Sequence, residues 1–214
     1  MTAQTARRTG VADPLAMPAT VVATRRLSEH MARVTVRCAD LDKFDYAGPD
    51  HLVRIFLPPE PRGGLNLPVG ARWWPEVLAM PEPERPIVRN YTVRAIDRPA
   101  GELDIDFVLH GDAGPASAWA RRAAPGDLIG LLSDGARFDP PPGVRRLLLV
   151  GDETALPAIA ATLEQLEPSA EALVLLEVDT PHAELPLPLP PGVELRWLHR
   201  APAGAARGAL VLDH

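Results

Sequence analysis

The chain has 214 residues, 46% of them apolar, and a formal net charge of -6, enough for one sizeable core or two modules of roughly 100 residues each. No run approaches the ~18 consecutive apolar residues of a membrane span, and the acidic balance argues against a general nucleic-acid binder, which carries a basic excess or a clustered basic face. Twenty-five prolines favour short strands and turns over long helices, and a single cysteine, Cys38, excludes an internal disulfide.

Arg7-Arg8 has the form of a twin-arginine export signal, but Gly10, Asp13 and Pro14 interrupt the stretch from Thr9 to Met17 and leave no apolar h-region. Residues 1–17 are therefore expected to be a disordered leader on a cytoplasmic protein. Ala19 to Cys38 reads as two strands joined by Arg25 to Met31, with Val34, Val36 and Cys38 inward and Arg33, Thr35 and Arg37 outward. His51 to Leu57 is a further strand, with Val53, Ile55 and Leu57 on one face and Arg54 on the other. The proline-rich stretch from Pro58 to Pro86 holds a short helix at Trp73 to Ala79 and leads into Arg89-Asn90-Tyr91-Thr92-Val93-Arg94.

That hexapeptide places Arg89 and Tyr91 on one face of a strand and Thr92 on the other. The residue types suit a flavin: a tyrosine to stack on the ring system, a threonine near the reactive nitrogen, an arginine fork for the pyrophosphate. They equally suit an amphipathic edge strand with solvated arginines. Leu103, Ile105, Phe107 and Leu109 form the inward face of the next strand, with Asp104, Asp106, Val108 and His110 on its other side. Gly111 to Ala120 follows, where Pro115 suits the first turn of a helix, a glycine before it permits close backbone approach, and the N-terminal amides at Ala116 and Ser117 offer an anion site. A plain helix packing Trp119 into the core fits the same residues. With Leu128 to Leu132 as a further strand, the pattern predicts an antiparallel barrel.

Pro140 to Gly143 reads as a linker between a barrel domain at 18–139 and a second domain at 144–214. Arg146 to Val150 is an unbroken apolar run, as in a parallel strand buried on both faces. A helix to about Leu166 and strands at Ala172 to Val178 and Val193 to His199 complete a β-α-β order. The glycine-rich phosphate fingerprint is absent, and Asp152 and Glu153 would repel a phosphate. No metal-ligand spacing of His, Cys, Asp or Glu is present. The fold class expected is thus mixed β and α/β: an N-terminal antiparallel barrel, then a short parallel nucleotide-binding sheet.

Four segments, RNYTVR (89–94), DFVLHGDAGPASAWA (106–120), APGDLIGLL (124–132) and GDETALPAIA (151–160), occur in the order found in the siderophore-interacting protein family, and the chain resembles that family over roughly residues 18 to 200. Members are FAD-dependent ferric-siderophore reductases of the wider ferredoxin reductase superfamily. The resemblance implies a flavin barrel at 18–139 and a partial NAD(P)H-binding domain at 144–214. It makes Arg89, Tyr91 and Thr92 flavin ligands, with Thr92 at the reacting ring. His110 and Gly111 approach the flavin through backbone; Gly114, Ala116 and Ser117 lie at the FAD pyrophosphate. Asp152, Glu153, Thr154 and Ala155 fall on the nicotinamide-nucleotide side, and Arg54 is a candidate for the siderophore.

The activity so implied is reduction of a ferric siderophore by NADH or NADPH through FAD, which releases iron because the same oxygen donors hold the ferrous ion far less tightly. Glu177 and Asp179, at the end of the second strand, are placed to accept from a ribose and repel a 2′-phosphate, so NADH is expected to be used at least as well as NADPH. The family extends beyond the point corresponding to His214, so the second sheet is expected to have about three strands and an uncovered edge. Two alternatives follow: a general NAD(P)H:flavin or quinone reductase, or a non-catalytic flavin- or siderophore-binding module served by an electron-donor protein that completes the sheet.

Overall fold

The computed structural model describes residues 15–60, 63–110 and 114–213. Most of the expected leader, residues 1–14, lies outside the described residues. Met17 does not belong to a leader, because it opens the first strand and is buried in the core.

Seven strands form an antiparallel sheet: β1 (Met17–Ser28), β2 (Met31–Arg37), β3 (Leu52–Leu57), β4 (Ile87–Thr92), β5 (Ala95–Asp97), β6 (Glu102–Val108) and β7 (Leu128–Ser133). Their spatial order is β4-β3-β7-β1-β2-β6-β5. Alternation sets the core, since Val34, Val36, Val53, Ile55, Leu103, Ile105 and Phe107 all project inward and are fully buried. Cys38 joins them as a small core residue, its thiol pushed up by burial. On the outer side, Arg33 faces Asp106, Thr35 faces Asp104 and Arg37 faces Glu102 across the β2–β6 register, and each pair is bonded at 2.6 to 2.9 Å.

The connection expected over Arg25 to Met31 is shorter than the sequence indicated. Arg25 pairs with Arg33 and Arg26 with Ala32, so β1 continues to Ser28 and only Glu29 and His30 turn the chain. Outward-facing arginines cost a strand nothing when its backbone still finds a partner ladder. The two sheet ends meet where β4 runs into β5: Val93 N donates to the carbonyl of His51, just before β3, and Arg94 N donates to the Asp104 carbonyl on β6. Consecutive amides thus close the sheet into a barrel. Helix α1 (Trp73–Ala79) packs Val77 and Trp73 on the outside, against Phe56 and Leu132. Helix α2 (Pro115–Arg122) buries Trp119 against Phe107, ring centroids 5.6 Å apart.

The second sheet has three parallel strands, β8 (Arg146–Asp152), β9 (Glu171–Val178) and β10 (Val193–His199), in the order β10-β9-β8. Helix α3 (Leu156–Glu164) covers one face and reaches β8 closely because Gly151 has no side chain; a Cβ there would stand 2.5 Å from that of Ala155. The expectation that β8 is buried on both faces is corrected. Leu147 and Leu149 pack toward α3, but Leu148 and Val150 are 63% and 44% exposed, because among the described residues no element covers the other face of β8. Helix α3 also joins the two halves. Met31 of the barrel is buried in the same apolar cluster as Leu156, Ile159 and Leu163, and Arg94 forms a bidentate pair with Glu164 at 2.8 and 2.6 Å.

Candidate functional site

Where the barrel meets the second sheet there is a cavity of about 500 Å³, lined on one side by Tyr91, Thr92 and His110 and on the other by Thr154, Pro157 and Arg207. Strand β4 delivers Tyr91 and Thr92, consecutive residues at its C-terminal end, to the cavity where the sheet closes. The Tyr91 ring rests on Phe107 at 4.4 Å, and burial pushes its phenol up to about 12 against the opposing charge of Arg89. It is a neutral ring at physiological pH. His110 is set by α2: its amide donates to Ser117 Oγ at 3.1 Å, and its imidazole lies where a side chain on Gly114 would be, 2.8 Å from that Cβ position. Ala116 and Ser117, in the first turn of α2, are both buried. Gly111 lies outside the described residues.

From the second sheet, Thr154 donates both its amide (2.9 Å) and its hydroxyl (2.6 Å) to Asp152 Oδ1, while Arg207 pairs with Asp152 Oδ2 at 3.1 Å. Burial acts to raise the Asp152 carboxyl, but the two Thr154 bonds and the arginine charges outweigh it and hold the group below the usual carboxylate range. Ala155 packs into the α3 core and its amide bonds the Asp152 carbonyl at 3.1 Å.

Glu153 has a different place. Its carboxylate is buried, pairs with Arg200 Nη2 and accepts from the Asp179 amide at 2.8 Å, so it turns away from the cavity. Glu177 is 1% exposed and accepts from the amides of Gly208 (2.7 Å) and Leu210 (3.2 Å), with Arg200 Nη1 at 3.6 Å. This corrects the reading of Glu177 as a ribose acceptor: the segment after β10 folds back over the end of β9 and consumes the carboxylate. That segment also contributes Arg200, whose charge offsets both Glu153 and Glu177.

Arg54 and Arg89 line a neighbouring cavity of about 480 Å³ with Trp73, Trp74, Val88 and Asn90. Arg54 is clamped by Asn90 Oδ1 (2.9 Å) and Asp134 Oδ2 (2.8 Å) and lies 5.0 Å above the Trp73 ring. Among the described residues, the Arg89 guanidinium bonds only its neighbour's carbonyl, that of Val88, at 2.8 Å. The structure therefore separates Arg89 from Tyr91 and Thr92, although Asn90 lines both cavities. Asn90, Arg207 and the two tryptophans were not singled out from the sequence. Asn90 lies inside the hexapeptide, between residues that were singled out; Arg207 carries no local signal at all. Among the described residues no group of three or more His, Cys, Asp or Glu could hold a metal ion, and no helix is long and apolar enough to cross a membrane.

A model of the siderophore-interacting FAD-binding domain matches residues 20–138, and a second, described as siderophore-interacting protein, matches residues 144–214. The chain belongs to the siderophore-interacting protein family. Within it, the chain is 38% identical over 184 residues to an uncharacterised protein of Mycobacterium tuberculosis, covering 84% of this chain and 64% of that relative. It is 34% identical over 187 residues to the ferric vibriobactin reductase ViuB of Vibrio cholerae, covering 85% and 65%. A siderophore utilization protein from T. fusca has a similar structure, with a TM-score of 0.79 and 33% identity over 97% of this chain and 78% of that one. The chain thus spans somewhat under two thirds of the length of the curated relatives it matches. The chain's fold class, mixed β and α/β with an antiparallel barrel followed by a short parallel sheet, is the one expected from the sequence.

Proposed function

We propose that this chain binds FAD in the cavity between its two sheets and uses it to pass electrons from NADH or NADPH to a ferric siderophore. The observation that carries this reading is the meeting of Tyr91, Thr92 and His110 with Thr154 and Arg207 around one cavity, a barrel wall facing a parallel-sheet wall. The residues suit a flavin: a neutral aromatic surface at Tyr91, a hydroxyl at Thr92, and a helix start whose Gly114 leaves room for His110 to pack. The ferric vibriobactin reductase relative supports the siderophore as acceptor.

FAD, when bound, accepts an electron pair and gives up electrons singly. The chain's own residues bind and orient. Tyr91 and Thr92 present ring and hydroxyl to one face, and Gly114, Ala116 and Ser117 offer the start of α2 to the pyrophosphate. On the opposite wall, Arg207 and the Asp152-bound Thr154 meet the nicotinamide nucleotide. Glu153 contributes through its backbone, since its carboxylate belongs to Arg200. Arg54 attracts the anionic chelate from the adjoining cavity, and iron arrives inside its chelator as substrate.

A second reading, a flavin-bearing module that takes electrons from another protein, is favoured by Glu177, whose internal bonding removes one acceptor from the nucleotide side. One experiment separates them. The purified protein is mixed with FAD, then with NADH or NADPH and a ferric catecholate in the presence of a ferrous-trapping dye. Dye formation with a nicotinamide nucleotide supports the reductase. Flavin that is reduced only by an added donor supports the module, and failure to retain FAD overturns both. A general flavin or quinone reductase would reduce small acceptors without any gain from a chelate.

A further inference from the structure

The cavity of Arg54, Trp73, Trp74, Val88, Arg89 and Asn90 holds features that the flavin reading does not use. Trp74 is 48% exposed although it stands on a helix, and α1 is held firmly at both ends. Glu76 accepts from the amides of Val69 (2.8 Å) and Gly70 (3.1 Å), and Arg85 donates to the carbonyls of Leu78 (3.1 Å) and Met80 (3.0 Å). Trp73 is fixed in turn, edge-on to Phe56 at 5.8 Å and to Trp74 at 5.4 Å. The indole of Trp74 is therefore presented to the cavity from a rigid support. An exposed, preorganised aromatic of this kind suits a flat ring, which it can stack at little cost in side-chain order.

Charge gives the ring its character. Asp134 balances Arg54, but among the described residues Arg89 has no acidic partner, and the Arg54 Nε is buried without a hydrogen-bond partner. The cavity is thus locally positive on a chain of net charge -6. Ferric complexes of catechol-type ligands fit both properties. They carry aryl faces, and because each ligand brings two negative charges, a tris-catecholate remains anionic. Tris-hydroxamate complexes are aliphatic at the donor groups and neutral. We infer that this cavity takes an aryl ring of an anionic catechol-type ferric chelate, and that Trp74 sets a preference for such chelates over hydroxamates. The inference rests on the siderophore reading above and names its substrate class. Asn90 lines this cavity and the one holding Tyr91 and Thr92, so a ring bound on Trp74 lies one side chain from the proposed flavin site.

Redox-inert gallium(III) complexes test the cavity without electron transfer. Calorimetric titration of the FAD-loaded protein with gallium tris(2,3-dihydroxybenzoate) and with the neutral tris-hydroxamate gallium desferrichrome is expected to show at least tenfold tighter binding of the catecholate. Trp74→Ala should weaken the catecholate at least fivefold and the hydroxamate less than twofold, and Trp74→Phe should recover most of the loss. FAD content and the thermal unfolding midpoint should be unchanged in both variants, which verifies that they fold. Equal affinity of the wild type for the two chelates, or an equal or absent effect of Trp74→Ala, overturns the inference while leaving the reductase reading intact. Loss of flavin binding by the wild type would instead overturn the reductase reading, and the same titrations on the flavin-free protein would still judge the cavity.

Discussion

An arginine with no acidic partner among the described residues, on an edge strand beside a neutral tyrosine, is the residue whose loss reports most directly on anion binding. Arg89 meets that description. If it contacts the FAD pyrophosphate, Arg89→Ala removes a charge-assisted bond worth about 1.5 to 3 kcal/mol. The FAD dissociation constant, followed by flavin fluorescence, should then rise at least tenfold; an unchanged constant assigns Arg89 to the neighbouring cavity alone. Gly114 offers a test of the same site that involves no charge. A methyl there would stand 2.8 Å from His110 Cε1, so Gly114→Ala must displace the imidazole from the cavity wall. FAD affinity should fall in this variant while the unfolding midpoint changes little, because the displaced ring is exposed and the barrel core is not.

Among the elements, the joint between β9, the loop before α3 and the segment after β10 depends on Arg200. This guanidinium is the cation facing two buried carboxylates, Glu153 and Glu177, and it also donates to the Glu177 carbonyl at 3.0 Å. Arg200→Met leaves those charges uncompensated, and removing one member of a buried ionic group costs about 3 to 5 kcal/mol. Chemical denaturation should show the loss, with the midpoint shifted and the residual 200–213 segment more open to proteolysis. A cost below about 1 kcal/mol would mean that the amides of Asp179, Gly208 and Leu210 suffice for both acids. The packing of α3 on β8 has its own weak point: Gly151→Ala would force the strand and the helix apart at Ala155 and Ile159.

For the whole molecule, one contribution to stability against acid comes from His51, fully buried in the barrel wall. Its Nδ1 accepts from the Ala47 amide at 3.0 Å, and Nε2 lies 3.0 Å from Ser133 Oγ, an arrangement that requires the neutral ring. Burial lowers its pKa from 6.5 to about 4, against the raising influence of Asp45, Asp50 and Asp134. The stabilisation is complete above pH 6.5 and is lost as pH falls toward 4, by roughly 3 kcal/mol at the end. Thermal midpoints measured from pH 7 to 4.5 should fall accordingly, and a non-titrating His51→Gln variant should show a flatter profile over that window. Charge also acts over distance. With a net charge of -6, the molecule as a whole repels an anionic chelate, and Arg54 opposes this locally. Arg54→Glu should raise the Michaelis constant for a ferric catecholate severalfold at low salt and less at high salt; if the constant and its salt dependence stay put, Arg54 serves only its pairs with Asn90 and Asp134. By itself, the sequence determined the alternation of Val34, Val36, Leu103, Ile105 and Phe107, the helix at Trp73 to Ala79 and the change to a β-α-β pattern after Pro140, because each is written in neighbouring residues at periods of two or about 3.6. Only the tertiary structure decided that Glu177 is consumed by Gly208 and Leu210, that β8 has an open face, and that Arg207 and Asn90 border the cavity. Those outcomes depend on which distant segments the folded chain brings together, and no local period encodes a contact across 30 residues or more.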